Sequence, residues 1–264
     1  MGDIGVHIDI GRYPVDQPGS LAYDALRDRC RVALADDGAV VLEGFAPPAT
    51  VEALIAEVEP RLGDAFFKPK THNVFLVADD PARPAHHPRN RKQATTSATL
   101  GYDGVPSGGL LDRVYGWPAL RAFLADVLGL PALHPYRDPL SPLNVLVYRD
   151  GAATGWHFDG AKFVVTLMLR PAEAGGVFEY VPFVRGEDEA SFARIGRIID
   201  GTASDVRVLR QPAGALVIFR GSRTLHRVTA VAGTPRLVTV FSYSPDPSFE
   251  LDAHTRQTFY GKVA

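Results

Sequence analysis

A chain of 264 residues, 46% of them apolar, is long enough to enclose a sizeable core, and its formal net charge of −2 gives no reason to expect a polyanionic partner. The single cysteine, Cys30, excludes an internal disulfide and fits a reducing cytoplasm. No apolar run approaches the roughly 20 residues that a bilayer-spanning helix needs. The start Met1-Gly2-Asp3-Ile4-Gly5-Val6 lacks the basic-then-apolar pattern of a secretion signal and has Val6 where a myristoylation motif wants a hydroxyl, so neither membrane nor nucleic acid is expected as a partner.

In chain order, Ser20 can cap a helix through Leu21, Leu26, Cys30 and Leu34, with Gly38 as its stop. Ala39-Val40-Val41-Leu42 reads as a buried strand. A second helix is predicted from about Thr50 to Gly63, and a third from Pro118 in its first turn to Leu128, ended by Gly129. Between them, residues 64–116 show no sustained period, which predicts long covering loops. The basic run Pro88-Arg89-Asn90-Arg91-Lys92 inside it reads as a solvated loop. From Asn144 onward the pattern changes to short β-rich runs: Asn144–Tyr148, Phe163–Leu169, Val177–Val181, Val206–Leu209, Ala215–Phe219 and Leu237–Tyr243. Glu187–Ile199 interrupts them as a helix. The fold class is therefore mainly β with flanking helices, a sandwich or double-sheet jelly roll. One domain is expected, with helical support and loops over 1–135, a jelly-roll core over 136–250 and a substrate lid inserted near 183–205.

Chemistry concentrates at Gly155-Trp156-His157-Phe158-Asp159-Gly160. If this run is extended, His157 and Asp159 project to one face and Phe158 to the other, so an imidazole and a carboxylate converge. His226, at the start of a later apolar stretch, is the best candidate for a third ligand. Two histidines and one carboxylate, with one side of the coordination sphere open, are associated with non-haem Fe(II) oxygenases. Ten positions beyond His226, Arg236 opens a run that is otherwise apolar. Turned inward, its guanidinium needs an anionic partner, and its planar fork suits a carboxylate; turned outward at the strand start, it needs none.

These motifs, with Thr166-Leu167-Met168-Leu169 and Gly175-Gly176-Val177-Phe178-Glu179-Tyr180-Val181-Pro182, resemble the Fe(II)/2-oxoglutarate-dependent dioxygenase superfamily. Within it they resemble the subgroup of free-amino-acid halogenases and their hydroxylating relatives. The resemblance implies a double-stranded β-helix core, His157, Asp159 and His226 on Fe(II), Arg236 on the distal carboxylate of 2-oxoglutarate, and O2 as oxidant source. Asn144 and Tyr148 match polar positions that line the cosubstrate pocket. The halogenases carry Gly where this chain has Asp159, so the resemblance implies hydroxylation of an unactivated C–H bond. Val238, where Ser is frequent, departs from the family pattern.

A small polar substrate, a free or carrier-linked amino acid, is the expected partner. Trp156, Phe158, Glu179, Tyr180, Arg89, Arg91 and Arg185 are candidates to contact it. The sequence leaves open a peptide or protein side-chain hydroxylase, a non-catalytic jelly-roll module that binds metal, and a zinc hydrolase, for which Arg236 has no obvious task. It leaves the oligomeric state undetermined.

Overall fold

Ser20 accepts a hydrogen bond at Oγ from the Tyr23 N–H (3.1 Å). In the computed structural model of the chain, which describes residues 3–262, helix α1 (Leu21–Asp36) follows from this cap. Met1 and Gly2, on which the reading of the amino terminus partly rests, lie outside the described residues. Helix α2 (Pro48–Val58) starts two residues earlier than expected because proline is tolerated in a first turn. It passes into a 3-10 turn, Glu59–Asp64, where Pro60 lacks the N–H that would continue the ladder. Helices α3 (Leu110–Tyr115) and α4 (Pro118–Leu128) follow, the latter stopped by Gly129 in the left-handed region at φ 68°. Helices α5 (Glu189–Ile199) and α6 (Ala253–Tyr260) begin at the capping carboxylates of Asp188 and Asp252.

The strands before residue 150 are β1 (Ala39–Leu42), β2 (Lys70–His72), β3 (Gln93–Thr95), β4 (Ala98–Leu100), β5 (His134–Pro135) and β6 (Leu143–Tyr148). Those after it are β7 (Thr154–His157), β8 (Val164–Arg170), β9 (Ala174–Gly175), β10 (Phe178–Val181), β11 (Arg207–Leu209), β12 (Leu216–Phe219), β13 (Leu225–Val228), β14 (Val231–Ala232), β15 (Arg236–Phe241) and β16 (Tyr243–Ser244). Two six-stranded sheets result, a major one ordered β1-β12-β8-β15-β6-β4 and a minor one ordered β11-β10-β13-β7-β3-β2. Every pairing between strands is antiparallel. This is the double-sheet jelly roll expected from the spacing of the β-rich runs.

Each sheet buries both faces. The outward residues of the major sheet, among them Val145, Val147, Leu167, Ile218 and Leu237, pack with Leu26, Cys30, Leu54, Leu120 and Phe123 of the helices in the main core. Its inward residues Tyr148, Met168 and Val238 meet Val228 and Phe178 of the minor sheet. The outward face of the minor sheet forms a second core, in which Trp156, Phe158, Val181 and Leu225 lie under Phe192, Ile195 and Ile198 of α5.

One expectation is corrected. The span 64–116 is not only loop: it supplies β2 and β3 to the minor sheet and β4 to the edge of the major one. These strands are short and partly polar, as edge strands are, so they show no hydrophobic period. Within the segment 183–205, α5 presents Phe192, Ile195 and Ile198 to the minor sheet as part of the second core.

Candidate metal centre

Position along two neighbouring strands brings the imidazoles together. His157 ends β7 and His226 lies in β13, and the two are direct cross-strand partners. Their ring centroids are 4.1 Å apart. Asp159, two residues past His157, turns to the same side, and its Oδ1 and Oδ2 lie 3.5 Å from Nε2 of His157 and of His226 respectively. One donor atom from each of the three residues falls within 4.8 Å of the others.

The tautomers are set by the backbone. Nδ1 of His157 lies 2.8 Å from the Gly155 carbonyl oxygen and Nδ1 of His226 lies 2.9 Å from that of Thr224. A carbonyl accepts only, so each Nδ1 donates, and each Nε2 keeps its lone pair for the shared centre. Burial raises the Asp159 carboxyl, but without a metal the two imidazoles, when protonated at Nε2, outweigh it and hold the group well below the ordinary carboxylate range, a place that a bound cation takes over from those protons. The Asp159 N–H is fixed by the Gly221 carbonyl (3.1 Å), and a Cβ on Gly221 would collide with the carboxylate. Phe178 stacks on His226 at 5.4 Å and Phe219 meets it edge-on at 4.8 Å, walling one side of the centre. Two imidazole nitrogens and a hard anionic oxygen, open on one side, fit a divalent first-row metal such as Fe(II).

Arg236 is 3% exposed and paired in register with Tyr148. Its Nη2 donates to Gln211 Oε1 at 2.8 Å, and its Cζ lies 5.1 Å over the Tyr148 ring. Nη1 is buried without a partner among the described residues. Among the described residues no carboxylate ion-pairs with this guanidinium, and burial lowers its pKa. That is the inward orientation, with a donor left for an external anion such as the distal carboxylate of 2-oxoglutarate. The Tyr148 hydroxyl shares a 2.9 Å hydrogen bond with Thr154 Oγ1, linking the arginine side of the cavity to the strand of His157. Asn144, on the same inward face of β6, lies four residues from Tyr148, about 13 Å along the strand, and donates to the Tyr260 hydroxyl at 3.3 Å.

The residues expected near substrate are placed by their strands and partners. From His157 back to Thr154, β7 takes three steps where β13 takes two from His226 to Val228. This bulge turns both Thr154 and His157 inward, while Trp156 and Phe158 face outward because they alternate with His157. Trp156 and Phe158 are fully enclosed in the second core. Glu179 pairs with Arg227 at 2.6 Å on the same outer face, and Arg227 in turn covers Trp156. Arg89 and Arg185 stack on Phe75 at 5.1 and 5.5 Å, and Arg91 pairs with Asp200 at 2.5 Å. Tyr180 faces inward but packs against Phe219, behind His226.

Residues that sequence reasoning passed over line the site instead. His72 on β2 meets His157 edge-on at 5.9 Å and bonds Thr95 Oγ1 through Nε2 at 2.9 Å. Gln211 and Gly221 come from loops. None carries a motif, and only pairing on the minor sheet reveals His72.

The fold is that of the Fe(II)/2-oxoglutarate oxygenases. The structure is similar to an oxidoreductase of the 2OG-Fe(II) oxygenase family from Burkholderia pseudomallei, at 15% identity over 88% of this chain and 94% of that one, with a TM-score of 0.53. A Pseudomonas putida prolyl-4-hydroxylase aligns at 18% identity over 81% and 97%, TM-score 0.51. The epimerase SnoN, solved with Fe3+, alpha ketoglutarate and nogalamycin RO, aligns at 18% identity over 83% and 84%, TM-score 0.56. No curated protein sequence matches the chain. The chain belongs to the family described as Halogenase D, which it matches over residues 23–260.

Proposed function

We propose that this chain is an Fe(II)- and 2-oxoglutarate-dependent oxygenase that hydroxylates an unactivated C–H bond of a small polar substrate, a free or carrier-linked amino acid. The observation that carries the reading is the inward convergence of His157, Asp159 and His226, with both Nδ1 atoms committed to backbone carbonyls. When bound, Fe(II) with 2-oxoglutarate and O2 supplies the oxidising power, the cosubstrate leaving as succinate and carbon dioxide.

The chain's own residues bind, orient and shield. His157 and His226 offer Nε2 and Asp159 offers a carboxylate oxygen, holding the metal from one side. Arg236 grips the distal carboxylate of 2-oxoglutarate with the Nη1 donor that the fold leaves free. Tyr148, under the guanidinium, completes that end of the pocket. Phe178 and Phe219 exclude water beside His226. Asp159 is the feature that favours hydroxylation over halogenation within this family, because a carboxylate stands where the halogenating relatives carry Gly.

The test is a mass-spectrometric screen of the twenty L-amino acids with Fe(II), ascorbate and 2-oxoglutarate, read as a gain of one oxygen and as succinate formed. An oxygenated product is expected, and Asp159→Ala abolishes it. Full product formation by the Ala variant removes Asp159 from the metal; no succinate with any substrate removes the oxygenase reading.

A further inference from the structure

Lys70 carries a charge for which the described residues supply no anion. It stands in β2 directly opposite Thr95 of β3, and Thr95 stands opposite Thr154 of β7. Alternation along β2 turns Lys70 and His72 to one face and the exposed Thr71 to the other. The face of His72 is the inward one, since its ring lies against His157 and its Nε2 on Thr95 Oγ1. Lys70 is therefore partly buried on the side of the minor sheet that carries the metal centre.

Its Nζ lies 4.0 Å over the ring of Phe259 in α6. No carboxylate forms an ion pair with it and no acceptor forms a hydrogen bond with it among the described residues. The two nearby cations are served otherwise: Lys92 pairs with Asp79 at 2.7 Å and Lys262 with Asp103. Burial alone draws the Lys70 ammonium down to about 8. An aromatic face offsets such burial only in part. The His72 Nδ1 donates to the Asn73 carbonyl at 3.0 Å, so its Nε2 accepts the Thr95 hydroxyl proton. Among the described residues, Lys70 is then a donor on this face without an acceptor. Arg236 cannot fill the same role, because it lies on the opposite sheet, beside Tyr148 and Gln211.

Resting on the function proposed above, we propose that Lys70, backed by Phe259, is the subsite for a free carboxylate of the substrate. Lys70 and His72 are about 6.6 Å apart along the strand, and His72 adjoins His157. A molecule held by its carboxylate at Lys70 thus extends a carbon chain toward the metal triad.

The experiment measures anaerobic binding by calorimetry to the full-length protein loaded with Fe(II) and 2-oxoglutarate. The probes are the twenty L-amino acids and their carboxamides, with wild type, Lys70→Met and Lys70→Arg compared. At least one amino acid is expected to bind wild type about ten-fold or more tighter than its carboxamide. Lys70→Met removes that preference while leaving carboxamide binding unchanged, and Lys70→Arg keeps it. The affinity for 2-oxoglutarate stays constant in Lys70→Met and falls in Arg236→Ala. Thermal unfolding of Lys70→Met is expected at or above the wild-type temperature, since an unpaired charge is removed. A preference that survives in Lys70→Met overturns the subsite, as does failure of all twenty amino acids to bind, or a loss of 2-oxoglutarate affinity on Lys70→Met. Failure of the oxygenase reading shows separately, as absence of succinate in the aerobic screen, and leaves the binding arms decisive for the subsite.

Discussion

Gly221 is the residue on which the triad most visibly depends without contributing a donor. Its carbonyl holds the Asp159 N–H, and its missing side chain makes room for the Asp159 carboxylate between the two imidazoles. Gly221→Ala is expected to rotate that carboxylate away and to weaken metal binding about 10- to 100-fold, the usual scale for a disturbed support of a metal ligand. Mn(II) titration followed by electron paramagnetic resonance measures it. Gly160→Ala, at a neighbouring position with open space around the added Cβ, is the control and should bind Mn(II) as wild type does. Equal affinity in both variants would show that Asp159 has other room to move.

At the scale of elements, α5 and β7 are one unit. Phe192, Ile195 and Ile198 of the helix cover Trp156 and Phe158, the residues that alternate with His157 and Asp159. The outward side chains of the metal-binding run are thereby clamped while the inward ones stay free for chemistry. Ile195 is wholly enclosed, so Ile195→Ala should cost about 2–5 kcal/mol through lost burial and a residual cavity. Urea denaturation measures the cost, and the Mn(II) affinity should fall with it as the clamp loosens. A neutral Ile195→Ala would instead describe a segment that merely rests on the sheet.

Across the whole molecule, the largest core lies not around the site but on the far side of the major sheet, where α1 and α4 pack against it. Cys30 sits there with no exposed surface, and burial pushes its thiol from an ordinary 9.0 up to about 11. A raised folded value means that this group's contribution to stability is complete below pH 9 and is lost as the pH rises toward 11. Native protein at pH 9 should therefore resist a disulfide reagent such as DTNB, while urea-unfolded protein reacts at once. Rapid labelling of the native state would show that α1 opens independently of the rest.

Local chemistry made much of this legible in the chain itself. A cap at Ser20, a left-handed stop at Gly129 and short β-rich runs from Asn144 on are short-range signals, and helices α1, α2, α4 and α5 and most major-sheet strands follow from them, whereas α3 and α6 are not read from them. The His-x-Asp step was likewise readable, because alternation within a strand is a property of neighbouring residues. Only the tertiary structure decided that Thr154 faces the site as His157 does, since a single bulge in β7 resets the alternation, and that Glu179 turns outward to Arg227. It alone brought His72 and Gly221 beside the centre. Their strands and loops are short and polar, and a residue that takes its place through pairing between distant segments leaves no periodic trace in the sequence.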